Sequence, residues 1–188
     1  MAAETLQQAL EREHQEIDAG IAAYSAAAAS GAAPTDSLTS AMSALRRHIY
    51  LEEQFLFPPL RAAGMMAPVF VMIREHGQMW RTLDTLQAQL GQDEMSGFRA
   101  ESVSGSGEPG AGAVGADPGA AAADGAGAGM LSAIEQLVAE LAAHNSKEEQ
   151  ILYPQADAVL NGAASEELRA FLAAGETPAG WVCQGART

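Results

Sequence analysis

The stretch HIYLEEQFLFP, His48 to Pro58, decides the fold, because the chain repeats it as HNSKEEQILYP, His144 to Pro154. Both read H-x-x-x-E-E-Q-(F/I)-L-(F/Y)-P. A His and a Glu four apart on a helix lie side by side on one face. At that spacing a neutral imidazole and a carboxylate can grip one transition-metal ion. The pairs are His48 with Glu52 and His144 with Glu148. Further out, Arg12-Glu13-His14 is echoed by Arg74-Glu75-His76. The order REH, HxxxEE, REH, HxxxEE is one helical hairpin used twice. All four histidines of the chain fall in this pattern.

The chain has 188 residues, enough for one domain with a sizeable core. It is rich in Ala, Leu and Met and sparse in β-branched residues, so helix is favoured. Lys plus Arg number 10 against 24 Asp plus Glu, a formal charge of −14. Such a surface repels nucleic acid and anionic membrane, and neither is an expected partner. The N-terminal MAAETLQQALEREH has no apolar h-region and does not read as a signal peptide. No run of about 18 apolar residues is long enough to span a bilayer. The single cysteine, Cys183, excludes an intramolecular disulfide, fits a reducing cytoplasmic compartment, and reads as an incidental residue of the tail. Nothing specifies an oligomer, and a monomer is expected.

Hydrophobic spacing lays out four long helices. The first, about residues 4–30, carries the stripe Leu10, His14, Ile17, Ile21, Tyr24. The second starts near Thr35 or Asp36, either a good N-cap, with Leu38, Ala41, Leu45, His48, Glu52, Phe55. Pro58-Pro59 is expected to kink or end it. The third begins near Pro68, with Val69, Met72, His76, Met79, Leu83, Leu86, Leu90. The fourth begins near Met130, with Ile134, Leu137, Leu141, His144, Glu148, Ile151. A short helix follows from Ser165 to about Ala174. Residues 105–129 hold nine glycines among Ala, Ser, Asp and Pro, too little apolar surface to offset ordering. The expected architecture is all-α: an antiparallel up-down four-helix bundle over 1–175, with 93–129 a flexible insertion loop and 176–188 a loose C-terminal tail.

His14, His48, His76, His144, Glu52 and Glu148 each fall in the apolar register of their helix. At about 1.5 Å per residue, antiparallel helices bring them to one level. A buried carboxylate protonates or finds a cation. A metal-free network of His–Glu hydrogen bonds is the competing account, but half-satisfied buried networks are costly. Two divalent or trivalent ions would compensate all six groups. Zinc suits such donors in principle, whereas carboxylates paired with histidines across a four-helix bundle are the di-iron or di-manganese arrangement.

H…HxxxE…H…HxxxE on four helices, with E-E-x-x-L-(F/Y)-P after each HxxxE, resembles the hemerythrin-like, or HHE cation-binding, domain family. The resemblance covers residues 4–160 outside the glycine-rich segment. It implies a non-haem centre of two Fe ions with an oxo or hydroxo bridge. Glu52 and Glu148 would bridge, His14 and His48 would bind one iron, and His76 and His144 the other. Oxygen-carrying members have a second His four residues after the third-helix His, where this chain has Trp80. They also have an Asp five after the fourth-helix His, where this chain offers Glu148 at four and Glu149 at five. By register Glu149 and Glu53 point to solvent. With four histidines rather than five, the site resembles the nitric-oxide, peroxide and iron-handling members. The implied function is a di-iron protein that binds or reacts with O2, NO or peroxide; the alternative is an iron- or oxygen-sensing or iron-donating module without turnover. Asp18, four after His14, is an extra ligand, a hydrogen-bond acceptor for it, or part of a solvated face. Tyr50 and Tyr153 flank the ligand helices, either as donors to bound oxygen species or as packing.

Overall fold

The computed structural model describes residues 4–29, 35–103 and 118–187, with the side chains of 29, 93–103 and 118–128 outside the description. The described residues are all-helical. Helix α1 spans Leu6–Ala29 and α2 spans Thr35–Leu51. A π turn, Glu52–Leu56, leads into α3, Phe57–Ala62. Helix α4 spans Met66–Val103 and α5 spans Pro118–Lys147. A second π turn, Glu148–Leu152, leads into α6, Tyr153–Val159. Helix α7, Gly162–Ala174, and a 3-10 turn, Gln184–Ala186, complete the chain. Helix α1 packs on α2 and α5, and α4 packs on the same two, so four long helices surround one core.

The inward stripes are observed up to the prolines. Leu10, His14, Ile17, Ile21 and Tyr24 are buried, as are Val69, Met72, His76, Met79, Leu83, Leu86 and Leu90. The helical run does not end at Pro58-Pro59, and it passes Pro154 in the same way. Proline has no N–H and its ring clashes with the carbonyl four residues back. Here the chain widens before each proline: Phe57 N–H donates to the Glu52 carbonyl and Tyr153 N–H to the Glu148 carbonyl, five residues back. The extra residue shifts the stripe by one position. Ile151, read as inward, is 49 % exposed, while Leu152 and Leu56 are buried.

Helix covers both ends of the segment expected to be a loop, 93–129. Helix α4 runs on to Val103, and α5 begins at Pro118 rather than near Met130. Four consecutive alanines, 120–123, favour helix, and proline suits a first turn. Residues 104–117 lie outside the described residues.

The tail is not loose along its described length. Cys183 is fully buried among core residues, with Trp181, Val182 and Ala186 packed beside it. The tail backbone crosses α4 where Gly185 meets Gly77. A Cβ on Gly77 would overlap the Gly185 carbonyl, and one on Gly185 would overlap the Ile73 carbonyl. Two glycines at one crossing let the chains approach.

The core has two apolar clusters. One holds Ile17, Leu45, Met79 and Leu141; the other holds Leu10, Leu51, Met72 and Leu152. His14, His48, His76 and His144 lie between those residues on their helices, as a polar layer dividing an apolar core.

Candidate metal centre

The structure brings the six predicted residues together. His14, His48, Glu52 and Glu148 form one group whose ligand-capable atoms lie within 4.8 Å of one another. Glu52, His76, His144 and Glu148 form a second group on the same criterion. The two carboxylates belong to both. All six residues are at most 3 % exposed.

A second set of carboxylates holds the histidines from behind. Glu13 meets His48 Nδ1 at 2.9 Å, Glu53 meets His76 Nδ1 at 3.2 Å, Glu75 meets His144 Nδ1 at 3.1 Å, and Glu149 meets His14 Nδ1 at 3.0 Å. Each Glu comes from the helical segment before the one whose His it holds, and the last returns to the first. The four contacts therefore close a ring around the bundle. With a carboxylate accepting from Nδ1–H, the Nε2 of each ring is left to face the centre, where a neutral ring offers its lone pair.

Register had placed Glu53 in solvent. It is 1 % exposed, because the π turn lets adjacent Glu52 and Glu53 both face inward. Gln184 N–H donates to its second oxygen at 2.9 Å, so the tail fixes this carboxylate. Glu149 has a side chain 38 % exposed, yet it bonds His14. Arg47 reaches Glu13 at 2.6 Å and also donates to the Phe171, Leu172 and Gly175 carbonyls at the end of α7. Lys147 holds Glu75 at 2.6 Å. Reading the sequence had missed these roles, although the signal was present: each is a Glu adjacent to a ligand-type residue.

Charge is balanced within the layer. Burial pushes His48 down, but Glu52 and Glu13 more than reverse this and raise it to about 10. Burial likewise opposes charge on His144, and Glu148 and Glu75 raise it to about 10. Burial would raise Glu52, yet His48 and His76 hold it well below the carboxylate range. Burial and Glu52 push Glu148 up, and His144 and His14 bring it below its ordinary value. His48 and His144, held toward the charged form in this way, do part of the work a cation would do. They do it incompletely: Glu52 Oε2, Glu148 Oε1 and His76 Nε2 are buried without a hydrogen bond. His76 Nε2 and Glu52 Oε2 are 3.2 Å apart in an orientation that bonds neither. Imidazole nitrogens and shared carboxylates around unpaired buried atoms fit transition-metal binding.

Four other residues singled out in the sequence resolve differently. Tyr153 is fully buried and its hydroxyl donates to Glu52 Oε1 at 2.7 Å. Burial, then Glu148 and Glu52, push its phenol well above the ordinary tyrosine value. Tyr50 packs on Phe55, Phe171 and Trp181, away from the layer. Asp18 is exposed and belongs to neither group; Glu149 takes the His14 N–H instead. Trp80 is buried with its ring against Trp181 at 5.4 Å and under Arg46 at 5.3 Å.

An all-helical bundle with four histidines around two shared carboxylates in a buried layer is a metal-binding module. A family model, the hemerythrin HHE cation binding domain, matches residues 5–106. The chain belongs to that family. No curated protein and no solved structure matches it. The matched span includes His14, His48, Glu52 and His76, whereas His144 and Glu148 enter the site through the fold.

Proposed function

We propose that the layer holds two iron ions, one on His14 and His48, the other on His76 and His144, with Glu52 and Glu148 shared and an oxo or hydroxo bridge completing the centre. The carrying observation is that two groups of four donors share the same two carboxylates. In the same reading α1, α2, α4 and α5 run alternately up and down, and the protein acts on a small oxidant, O2, NO or peroxide. Iron would supply the redox chemistry. The chain's own residues do the rest. Glu13, Glu53, Glu75 and Glu149 fix the imidazole orientations. The apolar clusters above and below exclude water from the layer. Tyr153 places a hydroxyl among the ligands.

Anaerobic iron loading followed by elemental analysis tests the stoichiometry. Two irons per chain are expected, and none in Glu52→Ala combined with Glu148→Ala. One iron per chain, or binding indifferent to that double change, overturns the assignment. Peroxide consumption by the iron form tests reactivity; its absence would leave a metal-binding module that senses or donates iron.

A further inference from the structure

On the side that faces the donors, the two motif copies differ at one oxygen atom. In the repeated motif the residue nine after the His is Phe57 in the first copy and Tyr153 in the second. The fold places these rings in matching positions. Phe57 lies on His76, with ring centroids 5.4 Å apart, and Tyr153 lies on His14, with centroids 5.2 Å apart. Both rings are at most 1 % exposed. Only one carries a hydroxyl. That oxygen is 2.7 Å from Glu52 Oε1, 2.8 Å from His14 Nε2, 3.2 Å from His48 Nε2 and 3.3 Å from Glu148 Oε2. These four residues are the whole of the first donor group.

From this geometry we infer that Tyr153 is a fifth protein ligand of the His14/His48 metal, and that the His76/His144 metal, facing Phe57, has none and takes the exogenous ligand. The inference rests on the metal assignment above. An ion held by these four residues would lie beside the Tyr153 oxygen, which touches all four. The ring cannot carry that oxygen to solvent, because it is packed with Leu56, Leu60, Leu152 and Leu168. A phenol oxygen beside a trivalent ion coordinates as phenolate, since the ion's charge reverses the local preference for the neutral form. The phenolic proton passes to solvent as the metal enters. No redox change accompanies the step. The unequal pair of sites follows from one atom in a sequence repeat.

Optical absorption and resonance Raman of the ferric protein give the test. Wild type should show a visible phenolate-to-iron charge-transfer band, with tyrosine ring modes enhanced on excitation within it. Ring-deuterated tyrosine should shift those modes. Tyr153→Phe should lose the band and keep two irons, and Phe57→Tyr should strengthen it. Two bound irons without tyrosine modes in wild type would overturn the inference while leaving the metal assignment intact. A band that survives in Tyr153→Phe would overturn it as well. Failure to bind iron at all would remove the assignment and the inference together. Because wild type alone decides the ring modes, the test holds even where Tyr153→Phe does not fold.

Discussion

The two copies of the hairpin motif set the same ligand skeleton and differ in what stands behind it. Behind the first, Glu53 is buried and locked between His76 and the Gln184 N–H of the tail. Behind the second, Glu149 reaches His14 from a position where its side chain is 38 % exposed. Sequence repetition thus reproduces direction along a helix. The surroundings of each copy then decide how rigidly, and how far from water, an imidazole is held. A carboxylate bond to a buried imidazole is stronger and better oriented where solvent does not compete.

The comparison breaks most completely when metal is removed, since both halves lose what joins them. Iron at about a thousandfold excess over its dissociation constant should stabilise the fold by about 4 kcal/mol. For a chain of this size that is a rise in Tm of roughly 8–16 °C, measured by calorimetry with and without iron. Equal midpoints would mean that the layer does not bind metal in the folded state. The pH dependence should have opposite signs in the two forms. His48 and His144 are raised to about 10 without metal, so their stabilisation is present in full below 6.5 and is lost as pH rises toward 10. Glu52 and Glu148 are lowered, so theirs is present above 4.5 and is lost in acid. Metal-free Tm should peak in mildly acid solution and fall above neutrality. The increment from metal should grow over that same range, because only neutral imidazole ligates.

The direct comparison of halves is Glu53→Gln against Glu149→Gln. Loss of a buried carboxylate behind a metal-binding His lowers metal affinity by roughly 10–100-fold, and Glu53 should lie in that range. Glu149, partly solvated, should cost only a few-fold by the same reasoning. Competition with a chelator measures both. Equal effects would show that the tail lends Glu53 nothing.

The tail itself is tested by Gly77→Ala and Gly185→Ala. Each puts a Cβ into backbone, so the tail must move, at a cost of about 1–3 kcal/mol. Cys183, now buried and raised to about 11 by burial and then by Glu53, should become reactive toward a thiol reagent. Unchanged labelling would mean that the crossing yields without releasing the tail. The smallest effect is expected from replacing residues 104–117 with a short Gly-Ser connection. Metal content should stay at the wild-type value by elemental analysis, and Tm should change by only a few degrees, since loop-length changes cost about 0.6 kcal/mol per doubling. A loss of metal would place that segment in the site.

Most of the inward stripes were legible because each depends only on spacing along one helix. His14, His48, His76, His144, Glu52 and Glu148 were found that way, before their partners on other helices were known. Ile151 and Glu53 were misread for one shared reason. The ideal helical register was carried into the π turn by which the backbone widens ahead of each proline. The spacing of the prolines after each EE pair is the cue that could have warned of it. The tail was misread because its order comes from a glycine crossing, Gly77 with Gly185, between segments more than a hundred residues apart.

What the sequence alone determined is which side chains face inward and at what level, since 3.6 residues per turn converts spacing into direction. It also determined that the pattern occurs twice. Only the tertiary structure decided which carboxylate holds which imidazole, that the tail fixes Glu53, and that the Tyr153 oxygen lies within one donor group and not the other. Those relations join helices whose separation along the chain carries no information about their distance. They arise when burial of the apolar faces brings the helices together, and each buried polar group must then find its partner among whatever the packing has placed within reach.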